Sequence, residues 1–75
     1  MKQPIYSVYD RLAETYAPLT AMTNDKVAAR AFKEACQTVD GYKQHANDLE
    51  MHRIGWFDDT TGTFTEEKEI IEKGE

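Results

Sequence analysis

The chain has 75 residues, 40% of them hydrophobic and 31% charged, with 9 Lys and Arg against 14 Asp and Glu for a net charge of −5. That length supports one domain around one small core, and the composition suits a folded soluble protein rather than a disordered one. One Cys cannot form an intrachain disulfide, no apolar run nears the roughly 20 residues of a membrane span, and the first residues lack an apolar signal segment, so an intracellular protein is expected.

In chain order, Pro4-Ile5-Tyr6-Ser7-Val8-Tyr9 is rich in β-branched and aromatic residues and predicts a strand. Tyr6 and Val8 fall on one face, Ile5, Ser7 and Tyr9 on the other, so both faces are partly apolar, as in a central strand. Residues 10–14 read as a hairpin connection and residues 15–22 as a returning strand. Pro18 puts that strand at an edge or a bulge, because it has no N–H to donate. Thr23 or Asn24 can cap a helix whose first turn carries Asp25. The apolar residues Ala28, Ala31, Phe32, Ala35, Cys36 and Val39 then recur at spacings of three and four, which predicts a helix over 25–39 with that stripe buried and Gly41 as its C-terminal cap.

Residues 42–47 read as a polar connection. Leu49, Met51 and Arg53 alternate with Glu50, His52 and Ile54 in a third strand, with a bulge at Gly55. Asp58-Asp59-Thr60-Thr61-Gly62 is a dense turn signal, and Thr63-Phe64-Thr65 a short returning strand. The order β-β-α-β-β predicts an α+β fold, a small antiparallel sheet with one amphipathic helix on one face. Residues 1–65 form this domain, and residues 66–75 an acidic tail, either a short charged helix around Ile70 and Ile71 or a frayed end. The tail holds five Glu and two Lys, a net of −3, which leaves 7 basic and 9 acidic groups, a net of −2, in the body.

No catalytic residue, metal site or cofactor is assigned. Cys36, His45 and His52 have no metal-ligand spacing, and Cys36 on the apolar stripe is explained by a buried thiol. Asp58 and Asp59 could pair as acid–base carboxylates, but a turn accounts for them more simply. The four glycines are scattered and form no phosphate loop. The chain is therefore read as a non-enzyme.

Lys26, Arg30 and Lys33 fall at i, i+4 and i+7 and share one outward helix face, which makes them the candidates for phosphate contact. The same face is also what a solvated helix presents, with Arg30 and Glu34 able to pair at i, i+4. Tyr6, Tyr9, Tyr16, Trp56 and Phe57 could stack on single-stranded bases, or else belong to the core or a subunit interface. A homodimer is expected. The first strand is apolar on both faces, only one helix is available to cover it, and small domains without disulfides or metals often associate. Tyr6 or Tyr9, whichever faces away from the helix, would lie in that interface, with Trp56 or Phe57 beside it.

Three motifs also carry a likeness over residues 3–65: Ile5-Tyr6-Ser7-Val8-Tyr9-Asp10, Ala29-Arg30-Ala31-Phe32, and Gly55-Trp56-Phe57-Asp58-Asp59-Thr60-Thr61-Gly62. In this order and spacing the chain resembles the small nonstructural protein of gokushoviruses, tailless single-stranded-DNA phages of the Microviridae. Ala46 stands where that family's pattern has Pro. The resemblance implies an accessory protein of genome replication in the host bacterial cytoplasm, acting in the switch from double-stranded replication to single-stranded DNA synthesis, and it brings no catalytic residues. The partner is then single-stranded DNA or a phage or host replication protein. The other reading is an acidic interaction or assembly module that binds a host or phage protein.

Overall fold

The computed structural model describes residues 1–74. Strand β1 spans Lys2–Asp10, longer than its densest β-branched stretch because the whole of it is paired with β4, Leu49–Asp58. The chain turns at residues 11–14, where the Asp10 carboxylate accepts from the backbone N–H groups of Leu12 and Ala13 at 2.9 and 3.1 Å. The expected second strand is split into β2, Thr15–Tyr16, and β3, Thr20–Ala21, both antiparallel to β1. Pro18 lies in the gap with no N–H to offer the ladder, and the Ser7 hydroxyl holds the detour in place by donating to the Ala17 carbonyl at 2.6 Å.

Helix α1 runs Asp25–Thr38, and the Asn24 side chain caps it by accepting from the Val27 N–H at 2.9 Å. Ala28, Phe32 and Cys36 are buried, and Ala31 and Ala35 half-buried, as the stripe predicts. Val39 departs from it. The helix stops one residue short, Val39 turns to extended backbone, and its side chain is exposed. Gly41 is not a cap either, because the chain re-enters a helix at once. Helix α2, Asp40–His45, and a 3₁₀ turn at Ala46–Asp48 replace the expected polar connection.

Strand β4 then pairs with β5, Thr63–Lys73, across a tight turn in which Gly62 has φ of 74° and the Asp58 side chain accepts from the Thr60 N–H at 2.9 Å. That backbone hydrogen bond holds the Asp58 carboxyl below its usual range. The larger correction concerns the tail, since residues 66–73 are neither helix nor frayed end but the far part of an 11-residue strand. Glu75 lies outside the described residues. Ile54 is an extra residue on β4 between Arg53 and Gly55, a bulge one position before the one expected.

The result is α+β, a five-stranded antiparallel sheet in the order β2-β1-β4-β5 with β3 beside β2 on β1, and helices on one face only. Tyr6, Ala28, Phe32, Cys36, Leu49 and Met51 form the core between α1 and the sheet. Among the described residues no helix is long and apolar enough to cross a membrane.

Tyr6 is fully buried, and its hydroxyl donates to Asp25 at 2.6 Å. Burial first, then this bond, push its ionisation well above the ordinary tyrosine value. The folded state therefore keeps the proton at alkaline pH where the unfolded chain, near pH 10, gives it up, and stability should fall as pH rises through that region. In an alkaline titration the Tyr6 tyrosinate absorbance should appear only together with unfolding, and Tyr6→Phe should remove that step. Tyrosinate forming at Tyr6 in a chain that stays folded would contradict the burial.

Candidate functional site

The two faces of the molecule differ in chemistry. On the helical side, the apolar stripe of α1 turns Phe32 inward, so Lys26 and Arg30 project to solvent and Lys33 lies beside them, half-buried. The structure thus brings the three predicted phosphate contacts into one row. Lys26 ends that row at an open cleft of about 450 Å³, lined also by Pro4, Thr23, Asn24, Asp25 and Trp56. Trp56 pairs in register with Pro4 and lies on the helical face. One face of its indole meets the Arg53 guanidinium at 5.1 Å, and its N–H donates to Glu67 at 3.3 Å.

Arg53 gathers acidic groups beside the start of this helix. Its side chain is buried under α1, with Nη1 donating to Asp25 at 2.6 Å and Nη2 to Glu69 at 2.6 Å and Glu67 at 3.3 Å. Asp25, which lines the cleft with Lys26, is thereby paired with a buried cation. Sequence reasoning put Arg53 on one face of its strand with Leu49 and Met51 but gave it no role. The signal was there, because a cation at an alternation position otherwise filled by Leu and Met must be paired to be buried.

The opposite face carries Ile5, Leu19, Phe57 and Phe64 around a shallow apolar depression, with Ile70 on the neighbouring strand. Gly55 lets Phe64 lie across the sheet here, since a Cβ would run into the Phe64 ring and the Thr65 carbonyl. Nearer β2, Tyr9 packs on Tyr16 with ring centres 4.6 Å apart and on His52 at 5.2 Å. Glu50 accepts from His52 Nε2 at 2.9 Å and His52 Nδ1 meets the Tyr16 hydroxyl at 3.1 Å, while Arg11 Nε lies 3.9 Å from Glu50. This Glu50–His52–Tyr16 chain was missed because Tyr16 lies 34 or more residues from the other two in sequence, although Glu50 and His52 were read as sharing a face.

The expected interface residues therefore divide. Tyr9 and Phe57 lie on the open face, but Tyr6 belongs to the core and Trp56 to the helical side. Tyr6 has Val8's parity and follows it under α1, while strand alternation puts Trp56 and Phe57 on opposite faces and the bulge at Ile54 gives Trp56 the helical one. Among the described residues no three His, Cys, Asp or Glu side chains gather into a set that could hold a metal ion.

A family model described as Phage ORF5 protein matches residues 3–75, nearly the whole chain. No curated protein and no solved structure matches. The chain belongs to the Phage ORF5 protein family.

Proposed function

We propose, with membership of that phage family as the premise, that the protein is a non-enzymatic accessory of single-stranded-DNA genome replication in the cytoplasm of the host bacterium. On this reading, which follows the gokushovirus resemblance, it acts in the switch from double-stranded replication to single-stranded synthesis and touches single-stranded DNA directly. One observation carries the direct contact: the row of Lys26, Arg30 and Lys33 opens at one end onto the cleft of Trp56. The row suits a short run of phosphates, and an indole beside it suits an unstacked base. Net charge of −5 keeps such binding weak.

Trp56 is the chain's single tryptophan, so its fluorescence reports on the cleft. Titration with a short oligothymidylate at low salt should quench it. With three phosphates engaged, log K should fall against log salt with a slope of about −2. Changing Lys26, Arg30 and Lys33 together to Gln should abolish binding and leave the far-ultraviolet circular dichroism unchanged. Should neither single- nor double-stranded DNA bind at low salt, direct contact is ruled out.

A second reading, an acidic module for a host or phage protein, is favoured by β5. This strand has Glu66, Glu67, Glu69 and Glu72 along it and forms the outer edge of the sheet. Such an edge can accept a partner's strand. Specific recovery of one replication or host protein from infected cells, by a chain that ignores DNA, would favour it.

A further inference from the structure

We propose that the helix-free face of the sheet is a self-association surface, on which a second copy packs face to face about a two-fold axis. The proposal goes beyond the DNA reading and does not depend on it. Of the eight large hydrophobic residues most exposed among those described, five (Tyr16, Leu19, Phe57, Phe64 and Ile70) lie on this one face, each between 36 and 60% exposed. Isolated exposed apolar side chains need no explanation, but a contiguous set on one sheet face marks a surface made to be covered.

The occupant follows from size and charge. The molecule measures 40 × 23 × 16 Å, so a face along its two longer dimensions offers at most about 900 Å². A standard stable interface takes roughly 800 Å² from each partner. The interior formed by one chain is small, with Tyr6 and Phe32 its only large side chains fully buried among the described residues. A domain so constituted gains most from joining a second sheet.

Charge favours a copy of the same chain over a nucleic acid here. Glu50 is engaged by His52 and Arg11, and Lys68 reaches across the face from β5, 4.0 Å from Glu66 and 5.8 Å from the Tyr16 ring. The face thus presents aliphatic and aromatic groups with its charges paired among themselves, which can meet its own copy under two-fold symmetry. The rest of an acidic molecule would repel its copy. Leu19 and Ile70 are also poor platforms for bases, which stack on rings. Packed this way, the two sheets form an α-β-β-α sandwich with strands crossing at about −30°. The rows of Lys26, Arg30 and Lys33 then stand on its two outer surfaces, away from the contact.

Sedimentation equilibrium of the full chain at 100 μM should give twice the 8.6 kDa protomer mass. Phe64→Glu with Ile70→Glu puts two carboxylates into the contact and should raise the dimer dissociation constant by about 100-fold or more. Leu12→Glu, in the exposed turn after β1, should leave it unchanged. A wild-type protomer that stays monomeric at 100 μM overturns the proposal, and so does a dimer that survives the double substitution. Wild-type NMR gives a readout that does not depend on the variant folding. On concentration, the Phe57, Phe64 and Ile70 side chains should become shielded from a soluble paramagnetic probe, and shielding of the α1 surface instead would place the interface elsewhere and overturn it.

Discussion

Phe32→Ala should cost about 3–5 kcal/mol and leave much of the chain unfolded at room temperature. A chain of this length has a total stability of roughly 4–11 kcal/mol, so the loss takes a large share of it. Two features place the expected cost high in its range. Phe32 is 1% exposed and packs in a core of six residues. Its ring also lines a cleft of about 320 Å³ with Tyr6, Met22, Ala31, Ala35, Tyr42 and Met51. Truncation would join the vacated volume to that cleft, and the two alanines beside it are too short to fill the gap. Val39→Ala, one residue beyond the same helix and exposed, should stay within about 0.5 kcal/mol. Urea unfolding of both variants, at one protomer concentration so that association does not confound them, gives the comparison. Equal midpoints for Phe32→Ala and the parent would mean that the stripe is not the core.

The parts of the fold legible in the sequence are those set by local periodicity. Ala28, Phe32 and Cys36 announce a buried helix stripe, Asn24 its cap, and the Asp58–Gly62 run its turn, because each depends on neighbours within a few residues. Where the reading failed, a distant residue decided. Val39 continues the spacing of the stripe, yet the chain leaves the helix there to begin α2, and nothing in the spacing records where the helix ends. Tyr6 and Tyr9 were equal candidates for the open face until the position of α1 was known. The candidate site shows the same division. Helical spacing alone brings Lys26, Arg30 and Lys33 into one row, whereas the approach of Trp56 to Lys26 depends on the bulge at Ile54 and the docking of α1 on β4 and β5.

The C-terminal strand is the clearest case, and Arg53 is its physical cause. Glu67, Glu69, Ile70 and Ile71 suit a helix or a loose end by composition. In a strand, however, Glu67 and Glu69 are two apart and project to the same face, where Arg53 takes both. The same guanidinium takes Asp25 at the start of α1, so one side chain ties β4 to β5 and to the helix. Burial lowers its affinity for the proton, and Asp25, Glu69 and Glu67 together more than reverse that, so it stays charged. Arg53→Ala should therefore cost about 2–4 kcal/mol. That lies below the 3–5 of a fully buried pair, because the three carboxylates are 42 to 62% exposed and water can take them back. Arg53→Lys should recover only part of the loss, since an ammonium cannot span Asp25 on one side and Glu69 on the other as the planar fork does. The damage should be local before it is global: amide exchange along residues 66–73 should accelerate more than in β1 or α1. Unchanged exchange along β5 in a stable Arg53→Ala variant would show that backbone pairing with β4 holds the strand without the charge. If instead β5 loosens first, the acidic segment is a strand because a buried cation on its neighbour requires it to be.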